Sequence, residues 1–181
     1  MARLPEITSK ADLPADKRHI FDAIGESRGT VGFPFSLLLN SPEVAGRIAH
    51  LGTYLRFEST LPPIDREIAI LIAARESDCE FEWAFHSRLA LQTGVAQETI
   101  DVIAQRGDLD QLTETEAQLL AYGRELLRNH RVTNDTFEAA RAKFGNQGVT
   151  ELTAILGYYS MLACALNAFE AEAPLGRPRL P

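Results

Sequence analysis

The stretch LPPIDREIAILIAARES, residues 61–77, sets the frame for the rest of the chain. At helical spacing Ile64, Ile68, Leu71 and Ile72 fall on one face, and Ala69, Ile70, Ala73 and Ala74 make the other side apolar as well. A helix that is apolar all round is stable only when other elements surround it, so this segment is predicted to sit inside the fold. One residue breaks the pattern. Glu67 lies three residues after Ile64 and four before Leu71, which places a carboxylate on the inward stripe. Two readings are open: a first-turn acid favoured by the helix dipole or paired with an arginine, or a carboxyl group whose burial readies it to exchange a proton.

The elements available to surround that helix also read as helices, because no segment shows strand alternation. Ile20, Phe21 and Ile24 mark a helix over 14–27, ended by the region Gly25 to Gly32. A short apolar turn lies between Pro34 and Pro42. Pro42 then starts a helix to about Glu58, with Val44, Ile48, Leu51 and Leu55 as its expected buried stripe. Helices follow over 77–93, capped by Gly94, and over 97–107, closed by Gly107. Another spans 112–130, where Thr113 and Glu116 have capping-box spacing. Gly145 separates a short helix over 133–146 from a long final one carrying Val149, Leu152, Leu156, Tyr159, Leu162, Leu166 and Phe169 in a 3-4 repeat. EIAIL from Glu67 and ELTAIL from Glu151 form a faint internal echo. The Pro-rich tail over 171–181 is expected to order only by docking on a partner.

The expectation is one all-α domain over 1–181, since a chain of 181 residues can bury a core without disulfides or metal. A net charge of -7 leaves no basic patch able to hold a phosphate backbone, which argues against nucleic acid as a partner. No apolar run approaches the ~20 residues that span a bilayer, and the first residues lack the apolar segment of a signal peptide, so a cytoplasmic protein with no membrane partner is expected. Cys79 and Cys164 are too few for a disulfide framework and read as free thiols.

The chemistry concentrates in SDCEFEWAFH, residues 77–86. Ser77 and Glu80 have capping-box spacing, so the helix is expected to begin at Ser77 with Cys79 in its first turn. At about 100° per residue, Cys79, Glu82 and His86 share an arc of roughly 60°, bordered by Trp83. The segment can be read through its sulfur or through its acid and base. A helix N-terminus and a protonated His86 would activate the thiol, whereas Glu76, Asp78, Glu80 and Glu82 oppose a thiolate. Glu82 and His86, at i and i+4, can instead hydrogen-bond along one face, the carboxylate fixing the imidazole tautomer. With Glu67 the site would then hold two carboxyls and a histidine, enough to take a proton from one atom and deliver it to another. The bland alternative is a surface ion pair beside a half-buried Trp. No metal is expected, because one helix supplies at most two ligands and no HExxH occurs. His19, His50 and His130 read as surface residues, one of Tyr158 and Tyr159 should face the core, and Gly29 and Gly32 follow no strand and make no phosphate loop.

Taken together, REIAILIAARESDCEFEWAFHSRLALQTGV resembles the core of the carboxymuconolactone decarboxylase and alkylhydroperoxidase D (AhpD) superfamily. The shared pattern is Glu67 early in an apolar helix, Cys79 twelve residues on, then Glu82-Trp83 and His86, with flanks that extend the resemblance over about 28–170. It implies an AhpD-like helical bundle that assembles as a trimer or hexamer, acts on a small molecule and uses no cofactor. The peroxidase branch works with two cysteines and a glutamate and histidine relay; here Glu82 stands where its second cysteine would be, which resembles the decarboxylase-like branch. The implied chemistry is decarboxylation, or a related lyase or isomerase step, on a small organic acid or lactone. His86 would move the proton, Glu82 would orient it, and Glu67 would be a buried acid or relay. Arg56, Arg66 and Arg75 are candidates to meet a substrate carboxylate. The alternatives are a one-cysteine thiol peroxidase using Cys79 and a non-catalytic ligand-binding oligomer.

Overall fold

The computed structural model describes residues 2–181, and its contacts divide the chain into two compact units: one up to Glu58 together with Ala165–Ala171, the other Ser59–Cys164 with Glu172–Pro181. The described residues are helices and connecting turns without strands, as the patterning predicts.

In the first unit, short 3-10 turns at Lys10–Asp12 and Ala15–Lys17 lead into α1 (Arg18–Arg28), ended by Gly29 in the left-handed region at φ 78°. The single turn α2 (Phe35–Leu38) and α3 (Pro42–Thr53) follow, and a wide turn over Tyr54–Glu58 extends α3. α1 packs on α3, and a Cβ on Gly46 would lie 3.1 Å from the Ile20 side chain. That close approach corrects the expected stripe of α3. Its buried face is Ala45, Ala49 and Gly52, continued by Leu55, while Val44 and Leu51 are each 48% exposed. Small residues admit the neighbouring helix, and the larger apolar side chains one register away are left outside.

The second unit is built around α4 (Pro63–Glu76), which packs against α5 (Glu80–Thr93), α6 (Gln97–Ala104) and α7 (Glu114–Asn129). Every residue from Glu67 to Arg75 is buried, as an all-round apolar helix requires. Ile64 departs from its predicted inward place. It is 40% exposed and lies beside Gly94, where α5 ends. The capping box of α7 forms as read: the Thr113 N–H donates to Glu116 Oε2 at 3.0 Å, and the Glu116 N–H donates to Thr113 Oγ1 at 3.4 Å. α6 ends through Arg106, at φ 53°, and not through Gly107.

α8 (Asn134–Ala168) joins the last two expected helices in one run, broken at Gly145 (φ 68°, ψ 178°). By length and composition it could cross a membrane, contrary to the expectation that no run could, but 56% of its apolar window is buried within the protein. Glu151, the echo of Glu67, is also buried. Both the N–H and the hydroxyl of Thr60 donate to its Oε2 at 2.7 Å, and Gln147 donates to its Oε1 at 2.9 Å. The tail needs no partner to be placed. Arg179 and the N–H of Leu180 reach the Glu80 carboxylate at 3.7 and 3.4 Å.

Candidate active site

The connection between α4 and α5, residues 77–79, is longer than the sequence suggests. Ser77 does not begin α5 but closes α4, its N–H donating to the Ala73 carbonyl at 3.1 Å. Asp78 then takes a left-handed φ of 45° and pairs with Arg75 and Arg106. Cys79, in extended conformation, is the N-cap of α5 and not a first-turn residue. The capping-box spacing of Ser77 and Glu80 misleads because Arg75 holds Asp78 in the turn, and that turn uses the Ser77 backbone as a C-terminal cap.

From this start α5 projects Glu82 and His86 inward, one turn apart, and α4 projects Glu67 toward them. Glu67 Oε2 lies 2.8 Å from His86 Nδ1, and Glu82 Oε2 lies 3.4 Å from His86 Nε2. The three side chains are 2% (His86), 7% (Glu67) and 5% (Glu82) exposed. This is not a surface ion pair. The imidazole stands between two buried carboxyl groups, one at each ring nitrogen, and the closer partner is Glu67. The sequence paired His86 with Glu82; in the structure its nearer partner is Glu67 on α4, at Nδ1, while Glu82 faces Nε2. With Glu67 ionised, its carboxylate can only accept, so Nδ1–H would donate to it and leave Nε2 directed at Glu82.

The aromatic surroundings complete the site. The Tyr159 ring, from α8, meets the imidazole edge to face with centroids 5.2 Å apart and planes at 85°. Tyr158 in turn meets Tyr159 at 5.3 Å and 76°. The sequence offered Tyr159 as a member of the 3-4 repeat of the last helix and as one of two tyrosines of which one should face the core; both Tyr158 and Tyr159 are buried, and what the Tyr159 ring touches was not legible. Trp83, which the sequence placed at the border of the arc of Cys79, Glu82 and His86, is buried.

Cys79 is fully buried, and among the described residues no hydrogen bond joins it to His86. Burial pushes its thiol up to about 11, with the carboxylates of Glu82 and Glu80 adding to the effect and backbone amides at the start of α5 opposing it. The three candidate arginines have contacts of their own. Arg75 is buried, donates to the Ala104 carbonyl at 2.6 Å and pairs with Asp78; Arg66 donates to Ser59 at 3.3 Å; Arg56 lies over the Phe57 ring. Among the described residues no group of three or more His, Cys, Asp or Glu is arranged to hold a metal ion.

Comparison with known proteins agrees with this arrangement of helices. Residues 42–125 match the carboxymuconolactone decarboxylase family. No functionally curated protein matches the sequence. Among solved structures, the alkylhydroperoxidase AhpD core of an uncharacterized peroxidase-related protein from Ralstonia eutropha JMP134 superposes with a TM-score of 0.74 at 18% identity, covering 96% of this chain and 93% of that one. An uncharacterized peroxidase-related protein from Silicibacter sp. TM1040 gives 0.74 at 16% identity over 94% and 93%. The debrominase Bmp8 in complex with 2,3,4-tribromopyrrole gives 0.73 at 14% identity over 95% and 92%. At these identities the likeness is one of fold.

Proposed function

We propose, from the match of residues 42–125 to the carboxymuconolactone decarboxylase family and the AhpD-like fold, cofactor-free acid-base catalysis on a small organic acid or lactone, by decarboxylation or a related lyase or isomerase step. The observation that carries the reading is the pair of contacts at His86. With Nδ1–H given to Glu67, two acceptors would face each other across the 3.4 Å between Nε2 and Glu82 unless a proton lies between them. That proton is the working element of the site. When a substrate loses CO2, the electron pair of the broken C–C bond stays on carbon as an enolate. The proton held between Nε2 and Glu82 passes to that carbon, and water restores it. In an isomerase step the same pair removes a proton from one carbon and returns it to another. Glu67 holds the imidazole in the tautomer that both steps need.

A thiol peroxidase would instead need the Cys79 thiolate, which its burial opposes. Turnover on a panel of lactones and keto acids, alongside peroxide consumption, separates the two. Cys79→Ser is expected to keep most lyase activity, and His86→Ala to lose about 100-fold or more, the scale of one general acid-base group. Abolition of activity by Cys79→Ser, together with peroxide consumption by the wild type, would overturn the reading in favour of sulfur chemistry. Self-association as a trimer or hexamer belongs to the same proposal. It is supported by the apolar residues Val44, Leu51, Tyr54 and Phe57 exposed on α3 and the turn after it.

A further inference from the structure

The hydrogen bond to Glu67 fixes one atom of the His86 ring but does not by itself fix the ring plane. Rotation of an imidazole about its Cβ–Cγ bond is broad and roughly two-fold, and a half-turn would put ring carbon where Nδ1 and Nε2 stand. Two rings stand against the imidazole with centroids 5.2 Å away, those of Phe85 and Tyr159, and of the two Phe85 is 48% exposed. Tyr159 is buried, and its ring stands nearly perpendicular to the imidazole at the separation favoured for edge-to-face pairs. Tyr158 braces it, and Leu152, Leu156 and Leu162 on the same helix are buried in close-packed surroundings.

We infer that Tyr159 is a positioning residue: its ring holds the plane of His86 so that Nε2 keeps facing Glu82. The inference rests on the acid-base reading for its effect on turnover, but the geometric claim can be tested without any substrate. Nitrogen NMR of the full chain labelled at histidine should show His86 in one tautomer, with a slowly exchanging Nδ1–H and cross-relaxation between its ring protons and those of Tyr159. Tyr159→Phe, which keeps the wall, should leave that signature in place. Tyr159→Met, which keeps apolar bulk but no planar ring, should average the tautomers and speed Nδ1–H exchange at least about tenfold. In turnover it should lower kcat by about tenfold with KM little changed, the mark of misplacement.

Gly123→Ala serves as the control for general loosening of the core, because its added Cβ meets Ile72 and Leu156. The inference is overturned if Tyr159→Met keeps the wild-type tautomer and exchange rate. It is equally overturned if the wild-type protein shows an averaged, rapidly exchanging His86 ring, a measurement that requires no variant to fold. A fixed ring in an enzyme whose turnover does not depend on His86 would instead retire the acid-base proposal and leave the role of Tyr159 standing.

Discussion

The two thiols of this protein differ in what surrounds them. Cys79 is buried at the start of α5 among acidic groups, whereas Cys164 is exposed on α8. Native protein treated with iodoacetamide at pH 8 is expected to be alkylated at Cys164 and spared at Cys79, with Cys79 reacting only in urea. Peptide mass spectrometry showing equal rates would contradict the burial argument. The same thiol sets a pH limit on stability. Its folded pKa is raised, from 9.0 to about 11, so the native state holds the proton more tightly than the unfolded chain. Its contribution is complete below pH 9 and is lost as pH rises toward 11, about 2–3 kcal/mol in all at about 1.4 kcal/mol per tenfold change in proton affinity. Thermal melts of wild type and Cys79→Ala should therefore diverge across that window and run parallel below it. From sequence, the sign of the effect on this thiol was open, since a helix N-terminus and four nearby acids pull in opposite directions; burial decided it.

At the scale of the elements, the central helix is held by close approaches as much as by apolar area. On α7, a Cβ added at Gly123 would stand 2.6 Å from the Ile72 side chain of α4 and 3.3 Å from Leu156 of α8. Gly123→Ala gains helix propensity of about 1 kcal/mol but forces a packed interior to move, at about 1–3 kcal/mol. The net expectation is a loss of about 1 kcal/mol and a melting temperature lower by about 2–4 °C. A higher melting temperature would mean that α4 and α7 can separate without cost. Helix ends were legible at Thr113, Gly94 and Gly145, but not at Gly107, where Arg106 makes the left-handed turn instead. They were misread at Ser77, where the ion pairs of Arg75 and Arg106 with Asp78 settle which helix owns the residue. The echo between Glu67 and Glu151 marked two buried carboxylates with different partners: His86 for one, Thr60 and Gln147 for the other.

For the whole molecule, the exposed face of α3 carries the expectation of self-association. Large apolar side chains grouped on one helix and left in water mark a surface that another chain can cover. Light scattering is expected to give the mass of a trimer or hexamer for wild type and a lower mass for Leu51→Glu, with helical content unchanged. A monomeric wild type at micromolar concentration would remove this part of the proposal.

Periodicity alone determined that the chain is helical and that 63–76 lies inside, and it offered Glu67, Cys79, Glu82 and His86 as candidates that could face one another, because 3.6-residue spacing is a local property of the backbone. Which carboxylate holds which ring nitrogen, which tyrosine stands against the ring, and whether Cys79 is reactive depend on the approach of α4, α5 and α8 to one another. Those distances arise from side chains remote in sequence packing at close to crystal density, and no local spacing encodes them.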